Sequence, residues 1–203
     1  MIIKYPIEID GLGVVLFMGR SGCFYSKKIK KLLEKNSKKF YYFESNKIFE
    51  KIDKKYLKLN YDYIFCFRSF HILKNNILKK VNKAAINFHP GPPEYRGTGC
   101  VNYSLYENSK FYGCTAHLIN EKVDNGKIID VKKFNINKKN SISEVLAKTY
   151  ETMFGLAIST IKNIKKNPDF VENQILKNKD MKWSNKIRKL KDLNNFYQIN
   201  KNI

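Results

Sequence analysis

The sequence predicts an α/β protein built on an open, mostly parallel, twisted sheet with helices on both faces, ending in an antiparallel hairpin. Three observations support this fold class. Short apolar runs typical of buried strands alternate with helical stretches over residues 12–89. Two strand-like runs then follow, separated by an Asn-Gly pair, which is a strong hairpin signal. A long helical stretch at 141–166 comes after the hairpin.

The first half of the chain contains the alternating elements. The apolar run LGVVLFM at 12–18 predicts a buried strand, and GRSG then opens a helix at Phe24–Lys35. The elements that follow are a strand at 40–43, a helical stretch carrying Ile48, Ile52, Tyr56 and Leu59, a strand at 62–67, a short helix at 72–80 and a strand at 84–89. This alternation favours βαβ units and a parallel sheet.

The second half contains the hairpin and the long helix. The hairpin pairs 112–119 with 127–136 across Asp124-Asn125-Gly126. Ser141 followed by Glu144 three residues later predicts a capping box at the start of the helix. We therefore expect one α/β domain over residues 1–166 and a Lys/Asn-rich appendage over residues 167–203.

The bulk composition is that of a globular protein. The chain has 203 residues, of which 43% are hydrophobic, and it contains no apolar run near the roughly 20 residues that a membrane helix needs. The N-terminal stretch has no signal-peptide pattern, so we expect a cytoplasmic protein without membrane insertion. No metal site is expected, since the cysteines lack C-x-x-C spacing and a histidine cluster; they are Cys23, Cys66, Cys100 and Cys114.

The formal net charge of +21 comes almost entirely from lysine. Nucleic-acid readers rely on arginine for bidentate contacts, whereas this chain has only Arg20, Arg68, Arg96 and Arg188. The lysines are spread along the whole chain, which favours a compositional bias on solvated faces over specific nucleic-acid binding. The field should nevertheless attract anionic substrates such as nucleotides and folates.

The fourth predicted strand ends in a candidate catalytic pair. Side chains alternate along a strand, so Asn87 and His89 should point to the same side, at the edge where parallel sheets bind ligands. Three prolines then stiffen the loop 90–93. A carboxamide can stabilise an oxyanion and a histidine can exchange protons near neutral pH, so the pair suits acyl transfer. Taken alone, the same residues favour an ordinary strand end.

Asp124 supplies a third polar group if the hairpin folds back over the sheet edge. A carboxylate beside an imidazole fixes its tautomer and favours its protonated form. Taken alone, the string Val-Asp-Asn-Gly-Lys is typical of a hairpin turn.

Four ordered elements resemble a known family. They are Asn87-x-His89-Pro90, the loop ending Tyr95-Arg96-Gly97, the string Gly113-Cys114-Thr115-Ala116-His117, and Asp124-x-Gly126. Their order is similar to the catalytic domain of formyltransferases that use 10-formyltetrahydrofolate, over roughly residues 12–160. The family includes glycinamide ribonucleotide, methionyl-tRNA and nucleotide-sugar formyltransferases, and the chain looks most like the last of these. The resemblance implies a Rossmann-like fold.

The resemblance also implies roles for these residues. The acceptor amine would attack the formyl carbon, Asn87 and protonated His89 would steady the oxyanion, and Asp124 would orient His89. The co-substrate would be 10-formyltetrahydrofolate, with no metal. The loop after the third strand and the segment before Asp124 would hold the pterin, and their candidate contacts are Arg68, His71, Ile72 and Val123.

The acceptor site is the part where the chain departs from the family. Many members carry Ser-Leu-Leu-Pro where this chain has Gly91-Pro92-Pro93-Glu94. Candidate substrate contacts are Gly91, Pro93, Tyr95, Arg96 and Trp183. Trp183 either stacks on a base or packs on the core, and the basic appendage either binds the acceptor, pairs two chains in a homodimer or folds back on its own chain.

We expect the acceptor to be a nucleotide-linked amino-dideoxy sugar, as in lipopolysaccharide and O-antigen biosynthesis. Glycinamide ribonucleotide is the alternative, because Gly19-Arg20-Ser21-Gly22 partly fits a phosphate loop. The chain lacks room for the C-terminal domain of methionyl-tRNA formyltransferases, which argues against tRNA. A dinucleotide-binding enzyme is disfavoured because the G-x-G-x-x-G fingerprint is missing, and a basic RNA-binding module would leave the Asn-His-Asp set unexplained.

Overall fold

The structure is a computed structural model that describes residues 11–47, 50 and 52–193. The strands are β1 (Val14–Arg20), β2 (Lys39–Ser45), β3 (Tyr61–Phe67), β4 (Val81–His89), β5 (Arg96–Gly97), β6 (Phe111–Leu118), β7 (Ile128–Asn135) and β8 (Ile187–Arg188). The helices are α1 (Phe24–Asn36), α2 (Lys54–Leu57), α3 (Asn75–Leu78), α4 (Cys100–Tyr106), α5 (Ile142–Lys166) and α6 (Phe170–Lys177), and a short 3-10 helix spans Leu190–Asp192.

A six-stranded sheet in the order β2-β1-β3-β4-β6-β7 forms the centre of the molecule. Strands β1 to β4 run parallel, whereas β6 is antiparallel to β4 and β7 is antiparallel to β6. Strands β5 and β8 pair separately as a short parallel ribbon. The predicted α/β class, with a mostly parallel sheet ending in an antiparallel hairpin, is confirmed.

The central strands are buried on both faces, which explains their continuous apolar runs. Along β1, Val15 and Phe17 pack under α1 and α5, while Leu16 and Met18 face the opposite side. Leu16 and Met18 belong there to a second core cluster, which also contains Ile77 of α3. Helices therefore cover both faces of the sheet, as the sequence predicts.

The helices after β2 and β3 are shorter than predicted. Of the described residues in the helical stretch expected around 48–59, Lys54–Leu57 form a helix, with the Asp53 side chain accepting from the amide of Lys55. Ile48 lies outside the described residues. The helix expected at 72–80 is limited to Asn75–Leu78. By contrast, α5 has the predicted capping box between Ser141 and Glu144.

The described part of the appendage folds back onto the domain. Val171 of α6 is buried in the larger core cluster. The chain then returns to the loop after β4, where β8 pairs with β5. Arg188 anchors this return: one Nη donates to the Glu94 carbonyl oxygen at 2.8 Å, and the other donates to both carboxylate oxygens of Glu107 at 2.9 Å. The division of the chain at residue 166 into a catalytic domain and an appendage stays a prediction.

Two further features concern the described residues as a whole. All four cysteines are buried and free. Within the described part of the chain, no helix has the length and apolar character needed to cross a membrane.

Replacing Arg188 with Met should lower the free energy of unfolding by roughly 2–3 kcal/mol, because hydrogen bonds to charged groups contribute about 1.5–3 kcal/mol. Urea unfolding followed by circular dichroism measures this change. The matched control is Lys133→Met, which removes an exposed ion pair with Glu94 and should cost less than about 1 kcal/mol. Equal effects of the two substitutions would contradict the anchoring role of Arg188.

Candidate active site

The register between β4 and β6 brings the polar side chains together. His89 lies opposite Thr115, and Asn87 lies opposite His117. Because residues at alternate positions share one face of a strand, Asn87, His89 and His117 all point towards the same cavity. The loop after β6 then folds back and places Asp124 against both imidazoles.

Asp124 lies between two histidines. Its Oδ2 is 3.3 Å from Nδ1 of His89, and its Oδ1 is 3.6 Å from Nε2 of His117. The Nδ2 of Asn87 is 3.1 Å from Nε2 of His117. All three members of the His89–Asp124–His117 cluster are buried, with exposed fractions of 3%, 7% and 2%. The structure thus brings the three predicted catalytic side chains to one place.

Hydrogen-bond partners fix where the protons lie on the two imidazoles. Nδ1 of His117 is 2.8 Å from the Leu118 carbonyl oxygen, which can only accept, so this nitrogen carries a proton. Its Nε2 can then accept from Asn87. Nε2 of His89 is 2.9 Å from the Tyr95 carbonyl oxygen and therefore donates. The Nδ1 of His89 faces the carboxylate of Asp124 and is the position for a second proton.

Backbone geometry holds Asp124 in place. Asp124 has a φ of 45°, in the left-handed region where the backbone of residues other than glycine is strained. Arg96 donates from Nε and Nη2 to the carbonyl oxygen of Val123, at 3.0 and 2.7 Å. The amide of Gly97 donates to Asp124 Oδ2 at 3.3 Å. Only glycine fits at position 126, because a Cβ there would lie 1.7 Å from the Leu118 carbonyl oxygen.

The proline-rich loop is tied to the same strands. Thr115 Oγ1 donates to the Gly91 carbonyl oxygen at 2.8 Å, and the Tyr112 hydroxyl donates to the Pro90 carbonyl oxygen at 2.8 Å. A Cβ at Gly91 would lie 2.7 Å from Nε2 of His89, so the imidazole packs directly on this backbone. The departure from the family pattern at Gly91 therefore adjoins His89, the predicted catalytic histidine.

The electrostatics of the cluster follow from burial and neighbouring groups. Burial lowers the pKa of His89 below its ordinary value, and the Asp124 carboxylate and the Tyr95 carbonyl oppose that shift. Burial alone would raise the pKa of Asp124, but His89, His117 and the Gly97 amide outweigh it and hold that pKa below its usual value. Asp124 is therefore an ionised carboxylate at neutral pH.

A cavity of about 640 Å³ opens in front of the cluster. Asn87, His89, His117 and Asp124 line one part of it. The four predicted folate contacts, Arg68, His71, Ile72 and Val123, line the same cavity. This volume falls within the range of ligand-binding cavities.

The five predicted substrate contacts are absent from the described lining of this cavity; they are Gly91, Pro93, Tyr95, Arg96 and Trp183. Pro93 lines a second cavity of about 510 Å³, together with Met181 and Lys182. Thr98–Asn102, Tyr150 and Leu190 do line the main cavity.

Two further groups of the cavity lining are Arg20, which the sequence places in a candidate phosphate loop, and His117, which the sequence analysis gives no separate role. Arg20 lies at the end of β1 with its guanidinium 4.1 Å from the ring centroid of Phe70. His117 contacts both Asn87 and Asp124. The sequence alone places His117 on the same strand face as Thr115. Only the register of β6 with β4 shows that His117 meets Asn87. Among the described residues, no group of three or more His, Cys, Asp or Glu side chains is arranged to hold a metal ion.

Comparison with known families and sequences gives a consistent result. The family model described as formyl transferase matches residues 18–159. The chain is 32% identical over 111 residues to the bifunctional polymyxin resistance protein ArnA of Wigglesworthia glossinidia brevipalpis, and 29% identical over 89 residues to the methionyl-tRNA formyltransferase of Finegoldia magna. These matches cover 54% and 43% of the chain but only 17% and 29% of the relatives, so the chain spans much less than two thirds of their length.

Solved structures share the fold. A 4-N formyltransferase from Francisella tularensis aligns with a TM-score of 0.65 at 21% identity, over 90% of this chain and 78% of its own. An N-formyltransferase from Helicobacter canadensis, solved with folinic acid and dTDP-3-aminofucose, gives 0.59 at 17% identity, over 79% and 64%. Phosphoribosylglycinamide formyltransferase from Anaplasma phagocytophilum gives 0.64 at 14% identity, over 77% and 88%.

Acidification from about pH 7.5 to about pH 5.5 should lower the melting temperature. A histidine whose folded pKa is lowered stabilises the protein above its unfolded value of about 6.5, and this contribution is lost as the pH falls towards the folded pKa. The contribution of Asp124 is also lost on acidification, but only below its unfolded value of about 3.9.

Differential scanning fluorimetry of His89→Gln checks this expectation, because the variant lacks the titrating ring and its melting temperature should fall less over the same interval. His71→Gln is the control, since the His71 ring contacts the Glu50 carbonyl and Phe43 instead of the cluster. If the melting temperature of His89→Gln falls as far as that of the wild type, the pH dependence belongs to other groups.

Proposed function

The chain belongs to the formyl transferase family, and we propose that it transfers a formyl group from 10-formyltetrahydrofolate to the primary amine of a nucleotide-linked amino-dideoxy sugar. The observation that carries this proposal is the meeting of Asn87, His89 and Asp124 in one cavity with all four predicted folate contacts. A buried carboxylate–imidazole pair beside a carboxamide has the chemistry that acyl transfer needs.

The proposed reaction is a direct transfer between two nitrogens. The acceptor amine attacks the formyl carbon, and the carbonyl oxygen gains negative charge. The new C–N bond forms, the bond to the folate nitrogen breaks, and the proton lost by the amine ends on that folate nitrogen. Positioning of the two substrates and stabilisation of the oxyanion supply the rate enhancement.

Asn87 is the best-placed donor to the oxyanion. One N–H of its carboxamide is directed to His117, and its second N–H has no partner in the described part of the chain. The His117 proton on Nδ1 fixes this arrangement, because it leaves Nε2 as the acceptor for Asn87. His117 thus orients the carboxamide in the proposed reaction.

In the structure, the Nε2 proton of His89 is bonded to the protein and does not face the position of the oxyanion. Both of its ring nitrogens are engaged, Nε2 with the Tyr95 carbonyl and Nδ1 with Asp124. For His89 to act on the substrate, its Nε2 proton must leave the Tyr95 carbonyl and turn to the oxyanion. Asp124 stabilises the charged imidazole during this exchange and can accept the amine proton through a water molecule.

The sugar-nucleotide acceptor is supported by similarity and by charge. The solved neighbours include enzymes named as sugar N-formyltransferases, one of them with folinic acid and dTDP-3-aminofucose. Arg20, Arg68 and Lys122 line the cavity and favour an anionic ligand such as a diphosphate. The proposed setting is the cytoplasm, in the synthesis of surface sugars such as those of O-antigen, and a homodimer stays a prediction.

Glycinamide ribonucleotide is the second candidate acceptor. It is favoured by Arg20 in the Gly19-Arg20-Ser21-Gly22 loop, which lies at the start of α1 and lines the cavity. A helix N-terminus with a nearby guanidinium suits a single phosphate.

His89→Ala and Asp124→Asn should each reduce kcat by at least about a hundredfold, because each removes a group that handles the proton or stabilises its carrier. The assay measures formyl transfer from 10-formyltetrahydrofolate to a 3-amino- or 4-amino-dideoxy sugar nucleotide. Asp130→Asn is the matched control, since Asp130 lies on the same hairpin, half-buried and in an ion pair with the exposed Lys132. Near-wild-type rates in folded His89→Ala and Asp124→Asn would overturn the proposed roles.

A thermal-shift panel of UDP, dTDP, GDP and glycinamide ribonucleotide should identify the acceptor class. A ligand present at about 100 times its Kd stabilises the native state by about 2.7 kcal/mol, so the correct nucleotide should raise the melting temperature. A shift with glycinamide ribonucleotide alone would favour the second candidate. The absence of any shift would remove the support for a nucleotide-linked sugar.

A further inference from the structure

The chain segment after the family-matched region is bonded along the loop that holds the catalytic cluster. We call residues 182–193 the strap. The Ser184 amide donates to the Pro93 carbonyl oxygen at 2.9 Å, and the Leu190 amide donates to Thr98 Oγ1 at 2.9 Å. Between these contacts, β8 pairs with β5. The strap therefore runs beside the loop whose Tyr95 carbonyl and Gly97 amide contact His89 and Asp124.

Trp183 of the strap contacts both imidazoles of the cluster. Its ring centroid is 4.9 Å from that of His117, with an interplanar angle of 83°, and 5.8 Å from that of His89, with an angle of 72°. Both are edge-to-face arrangements, the geometry that aromatic pairs prefer. The indole meets both histidines, but it is not part of the described cavity lining, whereas they are. It therefore covers the edges of the imidazoles without forming part of the cavity wall.

The indole is also bonded to the turn that carries Asp124. Its Nε1 donates to the Gly126 carbonyl oxygen at 2.8 Å. Gly126 lies two residues after Asp124, in the turn where Asp124 has its left-handed φ. One side chain thus fixes the ring packing of two histidines and the backbone next to their carboxylate.

We propose that Trp183 is a positioning residue for formyl transfer, which holds His89, His117 and the Asp124 turn in their mutual geometry and shields the imidazoles from water. This inference rests on the proposed function for its kinetic consequence. Its structural consequence, the environment of the imidazoles, does not depend on any substrate. Trp183 would then belong to the catalytic cluster instead of stacking on an acceptor base.

The groups that set the charge of His89 are few. Asp124 on the turn and His117 on β6 act on it, and the Tyr95 carbonyl accepts its Nε2 proton. Cys100 on α4 acts in turn on Asp124. Since burial is the largest influence on His89, loss of the indole should admit water and move its titration towards that of an ordinary histidine.

The first experiment is a histidine titration by NMR, using protein labelled with ¹⁵N at histidine. The chain has only three histidines, so their ring signals can be assigned with single His→Gln variants. In Trp183→Leu the apparent pKa of His89 should rise, and the ring signals of His71, which lies at the Glu50 carbonyl away from the cluster, provide an internal reference. Trp183→Phe retains an aromatic cover and should shift His89 less than Trp183→Leu does.

The second experiment compares kinetics across the same variants. Trp183→Leu should lower kcat roughly 10–100-fold, with little change in the KM of either substrate, since displacements near 1 Å cost about a hundredfold. The acid limb of its pH–rate profile should move in the direction of the NMR shift. Met181→Ala is the control: it changes an exposed side chain two residues away and should preserve both kcat and the profile.

The outcomes separate the two proposals. An unchanged His89 titration in folded Trp183→Leu, with wild-type kcat, would overturn the positioning role. A shifted titration in a protein that formylates no acceptor, even as wild type, would retain the structural role and overturn the proposed function. If Trp183→Leu fails to fold, Trp183→Phe decides: it should lose part of kcat together with the Gly126 bond, and a wild-type rate and titration would overturn the proposal.

Discussion

The buried carboxylate of Asp124, held between two imidazoles, is the constraint on which the rest of the site depends. A carboxylate with 7% exposure is costly unless it is paired and hydrogen-bonded. His89 and the Gly97 amide supply those partners, and the ring of His117 lies against the other carboxylate oxygen. To reach them, the backbone must turn through a left-handed residue and pass close to Leu118, which is why the next position but one is glycine.

Two of the four arginines fix the backbone around this carboxylate. In a chain whose cations are mostly lysine, Arg96 fixes the Val123 carbonyl and Arg188 ties the strap to Glu94 and Glu107. A guanidinium can donate several hydrogen bonds in one plane, which the lysine ammonium cannot do. Lysine therefore accounts for most of the net charge of +21, whereas arginine makes these buried contacts.

Much of the sheet could be predicted because its signals are local. Central strands such as Val14–Arg20 are apolar on both faces, and the Asn-Gly pair marks the hairpin. Period-2 alternation also placed Asn87 and His89 on one face. The helices after β2 and β3 were overestimated, because a few apolar residues at helical spacing also fit a short turn that packs on the sheet. Pairing of β5 with β8 has no local signal.

The sequence by itself determined the α/β class, the strands of the sheet and the residue types of the candidate site, because periodicity and turn chemistry act over a few neighbours. Only the tertiary structure decided that His117 meets Asn87, that Tyr95 and Val123 contribute backbone carbonyls to the site, and that Trp183 packs edge-to-face on the histidines. These contacts join positions distant in the sequence through strand register and backbone groups. A backbone carbonyl is present at every residue, so the sequence cannot mark the one that a folded site uses.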